Sequence, residues 1–167
     1  PVARYECQED YQPFPFTIEN ADLTFEIFNN KTIVHAKTAY KRRASDNSQT
    51  LDLNAAHMDI KSVTADNETL DYKYDPEAET LIIQPPKRDS FILETVVEID
   101  PANNTRLEGL YMSGGNWCTQ CEAEGFRSIT PFPDRPDVMT VFTVRIEGDS
   151  KTSPVLLSNG NLTDEGE

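Results

Sequence analysis

Gln120 and Glu122 are the residues of this chain whose types and spacing point most directly to chemistry. They stand two apart in Trp117-Cys118-Thr119-Gln120-Cys121-Glu122-Ala123-Glu124-Gly125-Phe126-Arg127, a long polar segment between two strand-like regions. An extended backbone there sends both side chains to one face, because side chains alternate with a period of two along a strand. That face then offers a carboxylate beside a neutral amide. The pair suits a small cation that also donates hydrogen bonds, such as a free amino terminus. The plainer reading of Glu122 is a solvated loop side chain, or one paired with Arg127.

Other constellations are weaker. Cys118-Thr119-Gln120-Cys121 has Cys-x-x-Cys spacing, but a zinc site needs a second pair of ligands and a redox motif needs a helix in a βαβ unit. Only Cys7 and the two histidines, His35 and His57, which fall in different predicted strands, remain, none at ligand spacing from another, so no metal is expected in this chain. No helical His-Glu-x-x-His, Gly-x-Ser-x-Gly elbow or glycine-rich phosphate loop is present. Gly114-Gly115 reads as a bend.

The elements that must position Gln120 and Glu122 are strands. Apolar and polar residues alternate in Asp22–Ile27, Leu51–Leu53, Met58–Ile60 and Leu70–Tyr74 and less strictly in Phe91–Ile99; Lys31–Tyr40 reads as a strand rich in β-branched residues and Leu81–Ile83 as a short buried run, and Val141–Ile146 and Val155–Leu157 complete the set. Short strands with frequent turn signals indicate an all-β antiparallel sandwich or barrel with long loops, and residues 1–167 read as a single domain. A short helix is expected near Asp134-Arg135-Pro136-Asp137, with Asp134 as its cap. Ser158-Asn159-Gly160-Asn161 predicts a hairpin whose second strand is missing, and the chain opens at Pro1, so a piece of a longer protein is expected.

The 167 residues carry 15 basic and 29 acidic side chains, a formal charge of −14. That field repels phosphate, which argues against nucleic acid and against an anionic membrane surface as partners. No apolar run reaches the ~20 residues of a spanning helix. Three cysteines are too few and too odd in number for a disulfide framework, which favours a cytoplasmic protein.

Four motifs carry a resemblance. Thr105–Tyr111, Cys118–Arg127, Asp134–Val138 and Leu156–Asn161, in this order, closely resemble the amino-terminal domain of the aminopeptidase N family, the zinc-dependent alanyl aminopeptidases of the gluzincin clan, in its bacterial branch. The resemblance implies a saddle-shaped β module preceding a catalytic domain that holds the zinc and the general base. It implies that Gln120 and Glu122 bind a peptide substrate, with Glu122 gripping its α-ammonium, with zinc bound outside this chain and with the missing catalytic domain as partner in cis. The whole protein would be a hydrolase, and this domain alone inactive. The alternative is a stand-alone all-β module that binds peptides or proteins without catalysis.

Overall fold

The alternating segments pair into three sheets in the computed structural model, which describes residues 11–44 and 48–166. Cys7 lies outside them. The strands are β1 (Phe16–Ile27), β2 (Thr32–Arg42), β3 (Leu51–Asn54), β4 (Asp59–Ala65), β5 (Glu68–Thr69), β6 (Tyr72–Asp75), β7 (Thr80–Ile83), β8 (Ser90–Ile99), β9 (Gly109–Ser113), β10 (Asn116–Gln120) and β11 (Val141–Gly148). A six-stranded sheet runs β11-β1-β2-β8-β4-β5, a three-stranded sheet β3-β7-β6, and β9 pairs with β10 alone.

Period-two burial explains the layers. In β2, Thr32, Val34, Ala36, Thr38 and Tyr40 point inward; in β8, Phe91, Leu93, Thr95, Val97 and Ile99 do. Leu51, Leu53, Leu81 and Ile83 of the three-stranded sheet join them in one core cluster. Phe16, Tyr40 and Phe91 form its aromatic centre, with ring centroids 5.7–6.1 Å apart. Each such pair adds about 0.5–1.5 kcal/mol beyond the area it buries. The outer face of the large sheet carries ion pairs, Lys37–Glu94 at 3.2 Å and Lys31–Glu98 at 3.1 Å. They are partly exposed, so they keep the face wet more than they stabilise it.

β1 begins earlier than its alternation predicts because a bulge corrects the phase. Phe16 and Ile18 face the core, and one extra residue before Ala21 returns Ala21 and Leu23 to the same side.

The sandwich is antiparallel except at one edge, where β11 pairs parallel to β1, from Asn20↔Val141 to Ile27↔Gly148. Parallel neighbours need a long crossover. Here the chain between the two strands builds the rest of the domain, and β11 returns to the open side of β1.

Three local expectations are corrected. Val155–Leu157 lies outside the strands, and Gly160 bends the chain at φ +88° without a partner strand among the described residues. His57 sits in a bend at φ +55°, not in a strand. Asp134–Asp137 forms no helix; Val138 N–H donates to the Arg135 carbonyl at 3.2 Å, making only a turn. Asp134 is not a cap because its carboxylate is taken by Arg127.

Candidate functional site

The segment carrying Gln120 and Glu122 starts as a hairpin. β9 and β10 pair from Ser113↔Asn116 to Gly109↔Gln120. Gly114 and Gly115 connect them with φ of +56° and +84°. Positive φ at both positions is the mark of a two-residue type I′ turn, which non-glycine residues adopt at a cost. The bend expected there is therefore a hairpin turn.

β10 stops at Gln120 because its partner starts at Gly109, leaving Cys121 no neighbour to bond. Glu122 consequently lies beyond the strand, and the expected shared strand face does not extend to it. The chain turns instead: Gly125 N–H donates to the Cys121 carbonyl at 2.9 Å, closing a five-residue turn with Glu122 and Glu124 exposed. A different contact joins the pair. Gln120 Nε2 donates to the Glu122 carbonyl at 2.7 Å. A carbonyl can only accept, so this bond fixes the amide's orientation and leaves Oε1 as an acceptor for another donor.

Arg127 decides which carboxylate of the loop stays unpaired. Its guanidinium lies 3.1 Å from Asp134 and 3.3 Å from Glu124. It does not reach Glu122, whose exposed carboxylate makes no ion pair or side-chain hydrogen bond among the described residues. One half-buried cation thus compensates two neighbours and leaves the Glu122 charge open.

The loop's exit is tied down. A short 3-10 helix spans Phe126–Ser128. The Arg127 carbonyl accepts from Ala56 N–H at 2.9 Å, and Asn54 and Phe132 exchange backbone hydrogen bonds of 3.0 Å in both directions. The Asn54 side-chain carbonyl accepts from Asp134 N–H at 3.0 Å. The Phe126 ring meets Phe132 edge-on at 5.1 Å and Phe142 at 5.7 Å. Trp117 and Phe126 pack against the core, in the role their size suggests. Sequence reasoning missed Asn54, Gly125, and the Arg127–Asp134 pair. Asn54 has no local signal, since it meets Asp134 across 80 positions.

Cys118 and Cys121 are free thiols. Burial, and secondarily the nearby Asp134 charge, pushes the Cys121 thiol up, which disfavours the thiolate needed for metal ligation or attack. His35 lies 3.0 Å from Glu26 and His57 3.7 Å from Glu79. Among the described residues no group of three or more His, Cys, Asp or Glu is placed to hold a metal. No helix there is long and apolar enough to cross a membrane.

Two clefts of about 340 Å³ open elsewhere, one beside Phe28 and Asp149, the other beside His57 and Asp100. Neither is lined by Gln120 or Glu122. Gln120 and Glu122 are exposed, so the loop presents them to solvent. Replacing Gln120 with Met keeps the side-chain length and removes the bond to the Glu122 carbonyl. One neutral hydrogen bond is worth about 1 kcal/mol. Amide exchange in Cys121–Gly125 is expected to quicken about fivefold; unchanged exchange would show that the amide does not hold the turn.

Comparison with known proteins extends the picture. Residues 10–167 match the family described as the Peptidase M1 N-terminal domain. The chain is 48% identical over 160 residues to the aminopeptidase N of Caulobacter vibrioides, covering 94% of this chain and 18% of that protein. It is 42% identical over 167 residues to the aminopeptidase N of Escherichia coli, covering 100% of this chain and 19% of that protein. The chain thus spans about a fifth of the length of these relatives. The crystal structure of Legionella pneumophila aminopeptidase A in complex with aspartic acid superposes with a TM-score of 0.85 at 26% identity, over 93% of this chain and 19% of that one. Yeast LTA4 hydrolase in complex with bestatin shares the fold, with a TM-score of 0.68 at 20% identity, over 87% of this chain and 26% of that one. With the family's match running through nearly all of the described β-fold, including the hairpin and its pinned turn, this chain belongs to the peptidase M1 N-terminal domain family.

Proposed function

We propose that the full-length protein is a zinc metalloaminopeptidase that removes N-terminal amino acids from peptides, and that this domain supplies the Gln120 and Glu122 groups that recognise the substrate's α-amine. The observation that carries this reading is the exposed, unpartnered Glu122 carboxylate at the tip of a turn pinned at both ends. The likeness to two proteins named aminopeptidase N supports the reaction class.

The chemistry follows from charge. A peptide's terminal ammonium is a cation with three donors, and an internal residue has neither the charge nor the donors. A carboxylate with an amide oxygen beside it binds the first and leaves itself unsatisfied against the second. One charge pair at ~4 Å and an effective dielectric near 20 is worth about 4 kcal/mol, reduced by desolvation of both groups. A second domain closing over the turn excludes water and strengthens the pair. Holding the amine also fixes where the first peptide bond lies, which is the contribution expected of positioning groups. Zinc, which would polarise a peptide carbonyl and activate water, is assigned to a catalytic domain in cis on the strength of the family likeness. The free thiols Cys118 and Cys121 agree with a reducing, cytoplasmic setting.

The test compares an aminoacyl arylamide with its N-acetylated form on the full-length protein. Acetylation removes the charge and leaves Glu122 without a partner. The expected loss in kcat/KM is at least about 100-fold. Equal cleavage of both would overturn amine recognition, and cleavage of neither would favour a binding module without catalysis.

A further inference from the structure

The strongest unused feature of the site is the ion pair behind it. Arg127 and Asp134 are each 15% exposed, whereas Glu124 is 71% exposed. The pair is thus withdrawn from any ligand that meets the turn. Asp134 Oδ2 accepts from Arg127 N–H at 3.2 Å and from Arg127 Nε at 3.1 Å, and the Asp134 carbonyl accepts from the guanidinium at 3.4 Å. Asp134 is itself held by Asn54, the last residue of β3, whose register against β7 is fixed at Asn54↔Thr80. In the other direction the guanidinium reaches Glu124, two residues beyond Glu122.

We infer that Arg127 and Asp134 are positioning residues, a brace running from β3 through Asp134, Arg127 and Glu124 to the turn, which sets where the Glu122 carboxylate stands and leaves it the loop's one uncompensated charge. The inference rests on the amine-recognition reading above. The brace needs a fork: a guanidinium can bond Asp134 and Glu124 from different nitrogens, and a lysine ammonium is a point charge on a flexible stem. Neutralising Glu124 and Asp134 also matters for selectivity, since three open carboxylates would attract a metal ion or a basic side chain as readily as one ammonium.

Steady-state kinetics of the full-length protein on an aminoacyl arylamide test this. Arg127→Lys and Asp134→Asn are each expected to raise KM about tenfold with kcat within about twofold, and to leave unchanged the binding of a competitive inhibitor that lacks an amine. Glu122→Gln combined with Arg127→Lys should raise KM no further than Glu122→Gln alone, because both act on one contact. Wild-type KM in both brace variants while Glu122→Gln is impaired overturns the brace. Full additivity in the double variant also overturns it, since it marks a merely structural role. If Arg127→Lys does not accumulate, Asp134→Asn carries the test, because its amide oxygen still accepts from Arg127. Should Glu122→Gln itself behave as wild type, the amine reading fails and the brace is judged by amide exchange alone. Faster exchange of Cys121–Gly125 in Arg127→Lys supports it, and unchanged exchange overturns it.

Discussion

Glu122→Gln in the full-length protein is expected to lower kcat/KM for an aminoacyl arylamide by roughly 10–1000-fold, with zinc content unchanged. The substitution keeps the shape and removes the charge. A hydrogen bond to a charged group contributes about 1.5–3 kcal/mol, and a well-closed site sits at or above the upper end. Each 1.4 kcal/mol is a factor of ten. Glu124 is engaged with Arg127, and the Glu122 carboxylate has no side-chain partner among the described residues to release. On the proposed amine-recognition reading the loss should fall mainly on KM, since Glu122 would bind the ammonium in the ground state as well as the transition state. Glu122→Asp should lie between wild type and Gln, keeping the charge but shortening the reach. The pH profile offers a second readout. A peptide's α-ammonium titrates near about 8, so wild-type kcat/KM should fall as the amine loses its proton, and the Gln variant should show a weaker fall. Wild-type kinetics in Glu122→Gln would remove this residue from the site.

The layers of the fold were legible because burial has a period of two. Lys31–Tyr40, rich in β-branched residues, and Phe91–Ile99, which alternates less strictly, were both readable as strands, and they became the central pair β2 and β8. The candidate site residues were singled out by motif wording, not by geometry. Gln120-Cys121-Glu122 alternates as well as any strand, and nothing local says that pairing stops at Gln120. That end point is decided by where β9 begins, on the other side of the hairpin. The hairpin itself was hidden because β9 and β10 are flanked by a glycine pair that reads equally well as a bend, and only Leu110 among their apolar residues is deeply buried. Asp134 was misread for a related reason. An acidic residue just before a proline-containing turn has the local signature of a helix cap, but the competing partner, Arg127, is brought to it by the tertiary course of the loop. The parallel edge was likewise out of reach. Val141–Ile146 alternates, yet direction depends on the path of the whole chain between β1 and β11.

Gly125→Ala is expected to damage the site nearly as much as loss of the carboxylate, and by a purely steric route. A Cβ on Gly125 would lie 2.6 Å from the Gln120 carbonyl oxygen, 2.9 Å from Cys121 Cα and 3.3 Å from the Cys121 carbonyl carbon. All three are backbone atoms, so no side-chain rotation relieves the contact. Either the end of β10 moves off β9, or the turn opens and the Gly125–Cys121 hydrogen bond breaks. Both carry Glu122 away from its place. Overpacking of this kind costs about 1–3 kcal/mol, which in a protein domain of this size lowers the melting temperature by roughly 2–10 °C. Misplacing a positioned group by an ångström can cost about 100-fold in rate, so kcat/KM on the arylamide should fall by about 10–100-fold. Gly114→Asn is the matched control. No atom lies within 4 Å of a Cβ there, and asparagine tolerates the positive φ, so a surface turn is altered while the Glu122 turn is not. That variant should keep wild-type kinetics. If Gly125→Ala matches wild type in both melting temperature and KM, the turn accepts a methyl group and the close approach of Gly125 to Gln120 does not set the position of Glu122.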